Sequence, residues 1–279
     1  QGGGANSANL SNCIVSANSA TLGGGIMLGS ASQCHFSRNA LTNSGGAANF
    51  AALTNCVVST NTAGQNGGGI AAGSAVGSLI VRNGAGVFGG GTWSANIVYC
   101  TIADNAATNE GGGVWGGSVT NSIIYFNTAS GGANYTNTTA ILYSCSSPQP
   151  PGAGNRGTDP LFVNRAGGNY RINTGSFCVD SATNIPAILF DLDGVPRALD
   201  GNFNGVPGPD MGAYETIHAS ADTDLDGQKD ADEVVAGTSP TNAAEFFEIA
   251  AISATNSGTA VAVSWKSVPG RMYGMEQNT

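Results

Sequence analysis

Charge is what this chain has least of. Only 10% of its 279 residues are charged, and across residues 1–155 the charged side chains are Arg38, Arg82, Asp104 and Glu110 alone. A surface without a basic stripe excludes nucleic acid as a partner, because phosphate contacts need clustered Lys and Arg. The formal net charge of −9 belongs to the C-terminal part, where a surplus of acids suits divalent cations. Long apolar runs are missing too, so no segment reads as a membrane span, and there is no signal-peptide pattern. No window offers an uninterrupted i, i+3, i+4, i+7 apolar stripe, which excludes a helical solenoid.

Glycine, by contrast, is abundant and periodic. Runs begin at Gly2, Gly23, Gly45, Gly67, Gly89, Gly111 and Gly131, with gaps of 21, 22, 22, 22, 22 and 20 residues. A fixed period of this size marks a solenoid, one supersecondary unit stacked on the next. Asparagine recurs in the same register at Asn18, Asn39, Asn61, Asn83, Asn105 and Asn127, and a thiol or hydroxyl at Cys13, Cys34, Cys56, Ser78, Cys100 and Ser122. One column is wholly apolar: Val15, Phe36, Val58, Ile80, Ile102 and Ile124. Apolar positions two apart in short β-branched runs, punctuated by Gly and Asn, predict strands. About three short strands per coil, stacked at ~4.8 Å, make a parallel β-helix, and seven coils a rod of roughly 34 Å. The asparagines are expected at left-handed turns, which Asn tolerates, with their amides laddered from coil to coil.

These columns resemble the right-handed parallel β-helix proteins, a group that includes pectate lyases, polygalacturonases and tailspikes. The resemblance covers residues 1–147 and implies the fold, not one function. Hydrolysis on that scaffold uses a carboxylate set, and elimination uses calcium with an Arg or Lys base. The coils hold neither cluster. Arg82 and Asp104 fall on adjacent coils and read as a surface ion pair, and His35 stands alone at an outward position.

Four of the six cysteines share the inward column and read as free, buried, small hydrophobes, since a ~4.8 Å coil step exceeds the ~3.8 Å between Cβ atoms that a disulfide prefers. Cys145 and Cys178 lie off that register, and pairing and free thiols stay equally open for them.

The register breaks at Pro148-Gln149-Pro150-Pro151, since successive prolines cannot donate to a ladder. The segments that follow, Asp159–Val163, Ser176–Ser181, Asp191–Arg197 and Asp210-Met211-Gly212-Ala213-Tyr214-Glu215, resemble the choice-of-anchor Q region of secreted bacterial β-helix proteins. Met211 replaces the usual Ile, and Phe177 and Cys178 depart from the usual Ser-Pro-Ala-Ile-Asp. The resemblance implies an extracellular or cell-surface protein, and residues 148–218 are expected to cap the open end of the solenoid.

Within 219–243 lies the sharpest motif. Asp222, Asp224, Asp226, Gly227, Gln228, Asp230 and Glu233 occupy positions 1, 3, 5, 6, 7, 9 and 12 of an EF-hand-type loop. Calcium takes six to eight oxygens, so alternating carboxylates converge on it, glycine makes the turn and the final Glu binds through both oxygens. Gln228 offers its backbone carbonyl, and Asp230 binds directly or through water. The segment also resembles thrombospondin type 3 repeats, with Ser239 where an acid or amide is usual. The run Asp200, Asn202, Asn204, Gly205, Asp210 starts like a second loop but is interrupted by Pro207 and Pro209. Residues 244–279 alternate through Phe247, Ile249, Ile252, Val261, Val263, Trp265 and Tyr273, and resemble the opening strands of a fibronectin type III-like sandwich.

Trp93, Trp115 and Tyr135 share one outward offset and are expected to form an aromatic platform for sugar rings. The expectation is therefore an all-β, secreted or cell-surface, noncatalytic β-helix with calcium as cofactor and a polysaccharide or cell-surface glycan as partner. The alternative is a polysaccharide lyase, hydrolase or epimerase with its active coils upstream of Gln1. The chain opens on a coil-starting glycine run with no polar cap, which reads as part of a longer protein.

Overall fold

The computed structural model describes residues 3–21, 23–255 and 260–265. It is a parallel β-solenoid of about six turns, ~22 residues each, with one short helix. Three parallel sheets run along it, of eleven, seven and five strands. The first sheet begins with seven-residue strands, Ala5–Ser11, Ile26–Ser32 and Ala48–Thr54, and then divides into two shorter strands per coil, such as Ile70–Ala71 and Ser74–Val76. The second sheet stacks Ile14–Ser16, His35–Ser37, Val57–Ser59, Leu79–Val81, Thr101–Ala103, Ile123–Tyr125 and Cys145–Ser146. Every coil meets the next in strict register: Leu79 pairs with Val57 and Thr101, and Ile80 with Val58 and Ile102.

Inside each coil the buried positions recur every five residues. Ile26, Ala31, Phe36 and Leu41 are buried in one turn, and Ile70, Ala75, Ile80 and Ala85 in another. The corners follow the same step, with left-handed residues at Leu28, Gln33 and Arg38. Fully burying an Ile or Phe side chain contributes about 1.5–3 kcal/mol, so a few inward residues per coil suffice to stack it.

The asparagine ladder is present, but its physical reason differs from the expected one. The left-handed residue sits one position earlier, at Ala17, Arg38, Thr60, Arg82, Asp104 and Phe126. The asparagines are there for their amides. Asn83 Oδ1 accepts from the Asn61 backbone N–H at 2.9 Å and from Asn61 Nδ2 at 3.0 Å, while Asn83 Nδ2 donates to Val58 O and Asn105 Oδ1. The same bonds repeat from Asn18 to Asn127, and Asn134 ends the column by donating to Ser147 O at 2.7 Å.

The thiol column works the same way. Ser78 Oγ donates to Val76 O and accepts from Cys56 N, and Cys100 Sγ donates to Val98 O and accepts from Ser78 N. Cysteine here is a hydroxyl surrogate, not merely a small hydrophobe, which is why Ser and Cys are interchangeable in this column.

Beyond the coils the chain does two things. Residues 147–157 lie across the final turn: Asn155 Oδ1 accepts from Ser144 N, and Arg156 bridges Ser144 and Ser146. From Asp159 the chain leaves the end and folds back along the flank of the second sheet. Tyr170, Ala213 and Tyr214 pack on Leu79, Val81 and Ala103, and Ile172, Cys178, Val179 and Met211 on Ile123 and Cys145. The stretch expected as an end cap is therefore mostly a side cover.

The Asp210–Glu215 motif makes the closest approach. Gly212 donates to Asn121 O at 2.9 Å with φ of 103°, and an added Cβ would meet Thr101 Oγ1 at 2.8 Å. Glu215 accepts from the N–H groups of Ala198 and Leu199, and pairs with buried Arg197, which lies over the Tyr99 ring. Asp104 does not pair with Arg82. It meets Arg165 at 3.0 Å and accepts from Tyr170 Oη at 2.8 Å, because the flank brings both across it.

Downstream, Ile249–Thr255 and Ala260–Trp265 form one antiparallel pair with Ile249, Ile252 and Val261 exposed. Among the described residues no second sheet faces it; Tyr273 lies outside them.

Candidate metal centre

The loop Asp222–Glu233 leads into the helix Asp230–Ala236, which ends at Gly237 in a left-handed turn. Three aspartates alternate along the loop, and Gly227 turns it with φ of 97°. Carboxylate oxygens of Asp222, Asp224 and Asp226 lie within 4.8 Å of one another.

Each aspartate divides its two oxygens. Asp222 Oδ2 accepts from Gly227 N at 3.0 Å, Asp224 Oδ1 from Asp226 N at 3.3 Å, and Asp226 Oδ1 from Gln228 N at 2.7 Å. The other oxygen of each, Asp222 Oδ1, Asp224 Oδ2 and Asp226 Oδ2, is buried and has no hydrogen-bond partner. Glu233, fully buried on the helix, leaves both oxygens without a donor. Thr238 lies close enough to favour its charged form, yet the Thr238 hydroxyl itself makes no hydrogen bond. Burial, then the charges of Asp224 and Asp226, push the Glu233 carboxyl up to about 7, and burial raises Asp224. Buried acceptors of this kind are costly unless a partner is supplied.

The flank shows the contrast. Asp191 accepts from Asp193, Val195 and Glu215 N–H groups, Asp200 from Asn204 and Gly205, and Asp210 from Asp180 and Thr216. Those carboxylates are satisfied by backbone, so the weaker Asp200–Asp210 run is an organised turn. Only in the Asp222–Glu233 loop do carboxylate oxygens converge without donors among the described residues.

Asp230 has a structural role beside the one its position suggests. Its oxygens accept from Thr223 N at 2.7 Å and Thr223 Oγ1 at 2.6 Å, so it ties the loop to the helix start. Gln228 uses its side chain as well as its backbone: its amide exchanges hydrogen bonds with the N–H and C=O of Phe247, linking the loop to the segment before the final strand pair. Neither Thr223 nor the Gln228 clamp has a spacing signal in the sequence.

The aromatic column is altered as well. Trp93 and Trp115 are in register and stack at 6.0 Å, and Phe88 stacks on Trp115 at 5.3 Å. Trp115 is thus half-buried, with Trp93 and Phe88 both stacked on it. Tyr135 does not continue the stripe. It pairs in register with Val114 and packs against the core, because Gly132, not Gly131, takes the left-handed start of that coil.

No protein-family model, curated protein or solved structure matches the chain. No helix among the described residues is long and apolar enough to cross a membrane.

Proposed function

We propose that this chain is a noncatalytic β-solenoid scaffold of the cell exterior whose C-terminal module is locked by calcium. The observation that carries the reading is the group of buried, donorless oxygens on Asp222, Asp224, Asp226 and Glu233. Three monodentate aspartates, a bidentate Glu233 and the Gln228 carbonyl fit the six to eight oxygens that calcium takes. The cell exterior is proposed from the resemblance of the flank to the choice-of-anchor Q region; loops of this class in extracellular modules bind calcium with Kd of roughly 10⁻⁴–10⁻³ M. The test is calorimetric titration of the EDTA-stripped protein, with melting followed in parallel. Calcium should release or absorb heat and raise the melting temperature, and Asp226→Ala should abolish both. A melting temperature indifferent to calcium would leave the loop an acidic linker.

We further propose that the rod is adhesive or glycan-contacting, which rests on the half-buried ledge of Phe88, Trp93 and Trp115. A sugar ring is expected to stack on the aromatic surface that the half-buried ledge leaves open. On a glycan array Trp93→Ala should weaken any hit several-fold; unchanged binding removes the ledge from the account. Release of unsaturated or reducing sugars by this chain would favour the lyase or hydrolase alternative.

A further inference from the structure

Cys145 and Cys178 are both fully buried in one cluster with Ile123, Ile172, Val179 and Met211. Cys145 lies in the last strand of the second sheet, at the outward position in register with Ile123, so its side chain faces the flank. Cys178 sits on the flank itself, held there by Met211 N donating to its carbonyl at 3.0 Å. Both are free thiols here and sit together in that buried cluster; Cys178 is the first cause pushing the Cys145 thiol far above its ordinary range, followed by burial. Cys145 also donates to Thr158 O at 3.1 Å.

The other cysteines are placed differently. Cys34 Sγ donates to Ser32 O and accepts from Cys13 N, Cys100 Sγ donates to Val98 O and accepts from Ser78 N, and Cys56 Sγ donates to Thr54 O. Their neighbours are one coil step away in parallel register, a separation that disfavours an S–S bond.

We propose that Cys145 and Cys178 are a disulfide site that fastens the flank to the last coil when the chain folds under oxidising conditions. The oxidant is a low-molecular-weight disulfide. One cysteine thiolate attacks it to give a mixed disulfide and one small thiol; the second cysteine thiolate then displaces the other small thiol. Two protons leave the cysteines, and two electrons reduce the oxidant to two thiols. Exchange needs a thiolate in reach of its partner. In the folded, reduced protein burial keeps a small disulfide from reaching either sulfur, so the bond forms before the flank closes, and afterwards burial shields it from reductant. The link closes residues 145–178 into a loop, which restricts the unfolded chain.

The full chain is refolded from denaturant in a mixture of reduced and oxidised glutathione, alkylated in denaturant, and mapped by mass spectrometry. The expected result is a peptide linking Cys145 to Cys178, with Cys13, Cys34, Cys56 and Cys100 alkylated. The linked protein should melt several degrees above the same protein refolded with excess reductant, and Cys178→Ala should abolish that difference. Six alkylated cysteines, a link through the ladder cysteines, or equal melting of the linked and reduced wild-type forms would each overturn the proposal. The wild-type map decides the question even if the variant fails to fold.

Discussion

Asp210 and Asp226 belong to the same irregular stretch and are used in opposite ways. Asp210 has N–H donors on both oxygens, so its burial is tolerable. Burial and the nearby Asp180 charge nevertheless push its carboxyl up to about 7, and Asp180 itself is raised to about 6. Glu215 and Arg197 complete its charged surroundings. Since the folded-state value lies above the ordinary ~3.9, the folded protein binds more protons than the unfolded chain between those limits. Stability from Asp210 is thus fully present at the acid end and is lost as pH rises toward and through 7. In EDTA the melting temperature should fall from pH 5 to pH 8, and Asp210→Asn should melt lower at pH 5 but with a shallower fall. A variant with an unchanged slope would show that Asp210 does not titrate in this window. Asp226 instead leaves one buried oxygen without a donor, the oxygen the proposed calcium would take.

At the scale of elements, the ladder is a chain of amides in which each side chain satisfies the coil before it. Asn83→Ala would strip acceptors from both the backbone and the side chain of Asn61 in a buried setting. Leaving a buried donor unsatisfied costs about 1–3 kcal/mol, so the variant should lose on the order of 3 kcal/mol in denaturant unfolding; a loss under ~1 kcal/mol would mean that water replaces the amide. This element was legible because a single residue type holds its column. The corners before it were not, since Ala17, Arg38, Thr60, Arg82, Asp104 and Phe126 share a backbone conformation and no chemistry. The inward columns, five residues apart, were legible from the wholly apolar one at Val15 to Ile124, although small and polar residues such as Ala75 and Thr92 occupy positions equivalent to Leu53 and Ile70 and blur the others. Tyr135 was misplaced because the coil is counted from Gly132. In the loop, the alternating aspartates and Glu233 were legible from spacing, whereas the Asp230–Thr223 tie depends on where a helix begins. The flank has no period at all, and its place against the second sheet follows from contacts such as Gly212 on Thr101 that no local pattern announces.

The whole molecule is a regular rod carrying an irregular strap on one side. The strap packs on the strands from Val57 to Cys145, while Ile14 and His35, at the same outward position of the first two coils, are exposed. Strict register has a consequence for how such a protein can change its length. Each coil offers its neighbour the same apolar columns and the same amide, so a coil is an interchangeable unit where the strap does not hold it. Excising Gly23–Ser44 would set Leu10 over Leu53, Val15 over Val58 and Asn18 over Asn61, the pairings the removed turn now mediates. The shortened chain should fold with a rod ~4.8 Å shorter, keeping its strap and its Asp222–Glu233 loop. Excising Gly89–Glu110 would instead remove Thr101 and Ala103 from beneath Ala213 and Tyr214, and should not fold. Coil number would then be a dimension that insertion and deletion can tune at one end of the rod and that the strap holds constant at the other.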